Sequence, residues 1–125
     1  MVLETGLTAS VQLLVADADT APAFGSGTVS VLATPRLVAL CEQAACDAIE
    51  GSLDPGSTSV GMRVQFDHLN PTVVGSSVTA EATLEKIAGR RLTFTVSATD
   101  SRGLVGAGKV TRVVVNEERF LHNAH

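Results

Sequence analysis

Four side chains stand where the surrounding pattern calls for something else. His68 continues a face marked by Val60, Met62, Val64 and Phe66, which puts an imidazole on an apolar row. Glu42 lies in the middle of an apolar helical stretch, and Thr34 heads that stretch just before Pro35. Arg112 shares a face with Val110 and Val114, so strict alternation points its guanidinium inward. An imidazole is easily tuned near neutral pH and carries protons. A carboxylate in apolar surroundings serves as a nucleophile or as a base for water, and the residues leave that choice open. A hydroxyl orients or polarises such partners. Each also has a plainer reading. His68 reads as a core or rim histidine, Glu42 as one edge of a solvated face with Asp47 and Glu50, Thr34 as a helix N-cap, and Arg112 as a strand-end cation turned to solvent. Thr34 and Glu42 are eight residues apart, which on one helix means about 12 Å along the axis. The glutamate leans back toward the N-terminus without closing that gap. Both are therefore expected to face a common pocket, with His68 or a substrate between them.

The elements that must position these groups follow from periodicity. Val11 to Val15 reads as a first strand. Residues 15–33, with Pro22 and the Gly25-Ser26-Gly27 cluster, read as a loop or lid. Thr34-Pro35 starts a helix expected over 34–50, with Gly51 and Pro55 ending it. That helix is apolar nearly all round, which implies burial on more than one side. Beyond Pro55, period-two rows recur in Val60–Leu69, Val78–Glu85, Leu92–Thr99 and Val105–Val115. Turn chemistry at Asn70-Pro71, Gly89-Arg90 and Ser101-Arg102-Gly103 suggests that successive strands run antiparallel. One buried helix followed by meandering strands implies an α+β fold, an antiparallel sheet wrapped around one long central helix. This is the hot-dog architecture, and a generic α+β sandwich fits the pattern nearly as well.

Composition narrows the classes. A chain of 125 residues is one domain, 1–125. Four Phe and no Trp or Tyr leave a core of Val, Leu, Ala and Ile. A formal charge of −4, with nine basic residues scattered among thirteen acids, argues against nucleic acid. Cys41 and Cys46 match no metal or redox spacing and read as small buried apolar residues, so no metal is expected. No apolar run approaches the roughly 20 residues of a membrane span. The N-terminus shows no signal-type core, and the expected setting is cytoplasmic. The small size and β-branched content favour a homodimer or higher homo-oligomer.

Three stretches change how the four side chains are weighed: FGSGTVSVLATPRLVALCEQAAC, VGMRVQFDHLNPTVVGSSVTAEATL and AGRRLTFTVSATD. Together, over roughly residues 24 to 117, they resemble the fluoroacetyl-CoA thioesterase family of hot-dog proteins. The resemblance implies hydrolysis of an acyl-CoA, with coenzyme A present only as part of the substrate and no other cofactor. It also implies a catalytic group of Thr34, Glu42 and His68, and a substrate-binding pair of Gly61 and Arg112 at the acyl pocket. The family's best-known member carries bulky aromatics before the helix. Here Gly25 to Thr28 are small, which implies a different acyl specificity. On the same fold, the other readings are an enoyl-CoA hydratase and a non-catalytic acyl-CoA-binding module.

Overall fold

The computed structural model describes residues 2–124; Met1 and His125 of the expected domain lie outside them. Five strands form one antiparallel sheet: β1 (Thr8–Leu14), β2 (Ser57–His68), β3 (Ser77–Ala88), β4 (Arg91–Asp100) and β5 (Gly103–Asn116), in the order β1-β3-β4-β5-β2. A four-residue helix α1 (Ala21–Phe24), the long helix α2 (Thr34–Ala48) and a short C-terminal helix α3 (Glu117–His122) complete the chain. This is the α+β hot-dog arrangement, with α2 packed on one face of the sheet.

The core forms where the alternation is cleanest. Val78, Ala80, Ala82 and Leu84 of β3 meet Leu92, Phe94, Val96 and Ala98 of β4, all fully or almost fully buried. Leu37, Leu40, Cys41, Ala44, Ala45 and Ala48 of α2 close over them. Small alanines on both layers let helix and sheet approach closely, and each fully buried Leu, Val or Phe contributes on the order of 1.5–3 kcal/mol.

Several expectations needed correction. Asn70-Pro71 does not close a hairpin. β2 pairs with β5 at one edge, and the chain then crosses to β3 at the far side of the meander. The eight residues between β2 and β3 are more than a tight turn uses, and Pro71 offers no N–H to a ladder. The helix is buried on one face only; Ala39, Gln43 and Asp47 stay exposed. Cys41 is buried but Cys46 is exposed, because five residues along a helix turn the chain away from the core face. The expected lid, 15–33, is more ordered than a loop. It holds a 3-10 turn (Asp17–Asp19), α1, and bridges Thr20–Leu32 and Val31–Val73. Asp19 ties it to the main helix through its carbonyl to Ala33 N–H (2.9 Å) and its carboxylate to Arg36 Nε (3.0 Å). α3 was not anticipated; the Asn116 side chain caps it by accepting from Arg119 N–H at 2.9 Å. No described helix is long and apolar enough to cross a membrane.

Candidate active site

A bulge in β2 decides which of its residues face the helix. Gly61 pairs with Arg112 and Arg63 with Thr111, so Met62 is the extra residue. After the bulge, Val64, Phe66 and His68 lie opposite Val110, Gly108 and Gly106, on the core side of the sheet. Before it, the core side is held by Ser59 and Gly61, because Gly61 sits beside Arg112, which in turn sits beside buried Leu92. The uniform face from Val60 to His68 therefore does not exist. Val60 belongs to the outer side, opposite Val113, and Met62 is 46% exposed. The bulge keeps His68 inward while also turning Gly61 and Ser59 inward.

α2 and β2 run along each other in opposite senses, and the candidate side chains meet across that seam. At one end, Thr34 Oγ1 and His68 Nδ1 are 2.8 Å apart. Farther along, Glu42 reaches Gly61. A Cβ built on that glycine would stand 2.7 Å from Glu42 Oε2, closer than such contacts allow. Only glycine lets the carboxylate lie against the strand there. Arg112, 8% exposed, donates from Nη1 to Glu42 Oε2 at 3.1 Å. Its Nε donates to Ser59 Oγ at 2.8 Å and its Nη2 to the Ser59 carbonyl at 2.9 Å. Inward alternation of Arg112 thus holds, with a carboxylate and a strand edge as its partners. Thr34 pairs with His68 and Glu42 pairs with Arg112; no hydrogen bond joins Thr34 to Glu42, as their separation along the helix implied.

Thr34 is not a cap. Ala33 takes the N-cap position, Thr34 and Pro35 are the first two helical residues, and no side chain caps this end. The helix starts at Thr34, as expected, and ends at Ala48, two residues short of the expected 50. With Thr34 inside the first turn, its hydroxyl meets the imidazole instead of capping. The first-turn amides of Thr34 and Arg36 have no intrahelical acceptor and sit at the positive end of the helix dipole.

His68 Nε2 is buried and has no hydrogen-bond partner among the described residues. Burial pushes the imidazole below its ordinary 6.5, against a smaller opposite pull from the Asn70 backbone. The ring is therefore neutral at pH 7, with one nitrogen engaged by Thr34 and the other buried. A cavity of about 270 Å³ lies here, lined by Thr34, His68, Leu69, Asn70 and Pro71 and, from the lid, Ala21, Ser26, Val31 and Leu32. A second cavity of about 350 Å³ lies at the C-terminal end of the seam, between Cys46 to Leu53 and Ser57 to Ser59. The first is the one lined by both His68 and Thr34, and Glu42 lines neither, so the common pocket expected for Thr34 and Glu42 is not formed by these two cavities. Burial, helped by the charge of Glu42, pushes the Cys41 thiol up to about 12, so it supplies no thiolate. Among the described residues no group of three His, Cys, Asp or Glu gathers to hold a metal.

A model of the fluoroacetyl-CoA-specific thioesterase (FlK) family matches residues 15–118. The chain belongs to that family. It is 38% identical over 90 residues to the fluoroacetyl-CoA thioesterase of Streptantibioticus cattleyicolor, a match covering 72% of this chain and 65% of that protein. A crystal structure of a variant of fluoroacetyl-CoA-specific thioesterase FlK, with fluoroacetate and CoA, superposes with a TM-score of 0.87 at 30% identity, over 94% of this chain and 99% of that one. A hot-dog-like protein from Thermanaerovibrio acidaminovorans gives 0.85 at 26% identity, over 97% and 93%. Of the five residues singled out from the resemblance to the fluoroacetyl-CoA thioesterase family, Thr34, Glu42, Gly61 and His68 lie along the α2–β2 seam, and Arg112 reaches it from β5.

Ser59 was missed. A serine near the start of a strand reads as an ordinary polar partner. Only its position two before Gly61, on Arg112's side of the ladder, marks it out.

Because the Thr34 hydroxyl pairs with His68 and caps nothing, one outcome is specific. Thr34→Ala is expected to leave stability within a few tenths of a kcal/mol, well short of the roughly 1 kcal/mol lost with a cap. Turnover is expected to fall about 10-fold, the scale of one lost hydrogen bond. Thermal melts beside steady-state rates check this; a cap-sized loss of stability with unchanged turnover would return Thr34 to a structural role.

Proposed function

We propose that this chain hydrolyses an acyl-CoA thioester to the free acid and coenzyme A, using water and its own side chains with no further cofactor. The observation that carries the proposal is the 2.8 Å Thr34–His68 pair, which borders a cavity and lies on the same seam as Glu42. Family membership and the CoA complex of the similar enzyme support it. In this reading the thioester carbonyl lies along the seam, between Glu42 and His68. Glu42 acts on the carbonyl carbon, either by adding to it to form an anhydride that water then opens, or by activating a water that adds to it. In both routes the proton that water loses passes through His68. His68, neutral at the outset, takes up a proton and delivers it to the departing thiolate, with Thr34 holding the ring. Gly61 and Arg112 flank the acyl end.

The reaction is tested by product analysis in heavy-oxygen water. Hydrolysis places one heavy oxygen in the free acid and releases thiol. An intact acyl-CoA heavier by one water would identify a hydratase, and unchanged acyl-CoA that still binds would identify a sensor.

The acyl group is proposed to differ from fluoroacetyl. The lid residues on the cavity, Ala21, Ser26, Val31 and Leu32, are small or medium-sized and include no aromatic. Ser26→Phe is expected to raise the ratio of activity on acetyl-CoA to activity on longer acyl-CoAs. An unchanged ratio would remove the lid from the specificity argument. Gly25 is unsuited to the same test, because its φ of +65° strains any side chain.

A homodimer is part of the proposal. β2 is a twelve-residue edge strand whose outer N–H and C=O groups face no neighbour in the sheet. Met62 and Val64 leave apolar surface on it, at 46% and 43% exposure. Light scattering at micromolar concentration is expected to give at least twice the chain's 12.9 kDa; a monomer would refute edge pairing. The setting is proposed to be cytoplasmic, which a coenzyme A thioester as substrate supports.

A further inference from the structure

We infer that Ser59 is a positioning residue for Glu42, acting through Arg112; this rests on the catalytic reading of Glu42 above. One residue supplies two acceptors to one guanidinium: Ser59 Oγ takes Nε–H at 2.8 Å and the Ser59 carbonyl takes Nη2–H at 2.9 Å. Those two bonds fix the plane of the guanidinium, because its N–H groups form a rigid fork. The remaining arm, Nη1, reaches Glu42 Oε2 at 3.1 Å. Gly61, between Ser59 and the bulge, contributes no side chain and leaves the carboxylate its place. The Arg112 side chain is 9% exposed and that of Glu42 32%, so the anchored half of the ion pair is buried and the working half faces the seam. One carboxylate oxygen is held, and Oε1 remains available for chemistry. The bulge at Met62 matters here, since strict alternation would have turned Ser59 to the outer side of the sheet.

A merely structural serine and a positioning serine differ in what their loss does to turnover. In folded Ser59→Ala, kcat is expected to fall about 10-fold with KM within roughly twofold, as for an interaction that matters in the transition state. Ser59→Thr, which keeps the hydroxyl, is expected to recover most of the rate. Should Ser59→Ala fold poorly, Ser59→Cys keeps the size, weakens the acceptor and gives the same reading. The decisive measurement is a double-mutant cycle with Glu42→Gln. Adding Ser59→Ala to that background is expected to lower kcat by less than about twofold, because the group being positioned has already lost its function. Independent, multiplying losses would overturn the inference, as would wild-type kcat in folded Ser59→Ala. Wild-type kcat in Glu42→Gln alone is a different failure: it would remove the catalytic reading of Glu42 on which the inference stands.

Discussion

Glu42→Gln is expected to lower the rate constant for thioester hydrolysis by at least about 100-fold, the usual scale for a lost general base or nucleophile. The substitution keeps the length and shape of the side chain. It also keeps an oxygen that accepts from Arg112 Nη1, now 3.1 Å from Glu42 Oε2. What it removes is the negative charge and with it basicity and nucleophilicity. The guanidinium then lacks its counter-ion, but its Nε and Nη2 bonds to Ser59 survive. A melting temperature near wild type is therefore expected, and it separates lost chemistry from lost fold. Folded Glu42→Gln with near wild-type turnover would make the 3.1 Å ion pair a structural one.

His68→Ala has an effect of similar size and adds a signature in pH. A fall of at least about 100-fold is expected from the missing proton carrier. Burial sets the imidazole below 6.5, so the wild-type acid limb of kcat/KM should have its midpoint below that value. The group must be neutral at the outset, so the rate rises with pH through that midpoint. Stability carries the same sign. The unfolded imidazole binds a proton more readily than the folded one, so the contribution of His68 is fully present above 6.5 and declines as pH falls toward the folded value. His68→Ala should lose both the acid limb and that part of the stability slope. Persistence of the same limb in the variant would assign it to another group.

The parts of the fold that were legible in the sequence are those with one buried face and no irregularity. The inward rows of β3 and β4 are the ones that alternation marks, and α2 begins within a residue of Thr34-Pro35. Legibility failed where the period breaks. A single bulged residue, Met62, reverses the facing of everything before it, and no composition signal announces a bulge. The crossover from β2 to β3 was hidden because Asn70-Pro71 has turn chemistry whether or not a hairpin follows. Cys46 was misread because an apolar residue on an apolar helix gives no sign of which face it takes. The site was legible only in part. Thr34, Glu42 and His68 each had an adequate structural reading, and it was family resemblance that set them together. Geometry then sorted them into a hydroxyl–imidazole pair and a carboxylate–guanidinium pair. Ser59 lay out of reach, because its importance depends on a strand register and on the arm of an arginine fifty-three residues away.

The most direct test of the account is release of free thiol by the purified wild-type chain across acetyl-CoA, phenylacetyl-CoA and longer acyl-CoAs, with binding of each measured in parallel. The account predicts enzyme-dependent thiol release from at least one member of the panel, reduced at least about 100-fold in folded Glu42→Gln. Binding across the panel with no thiol released from any of it would contradict the account and leave an acyl-CoA-binding module in its place.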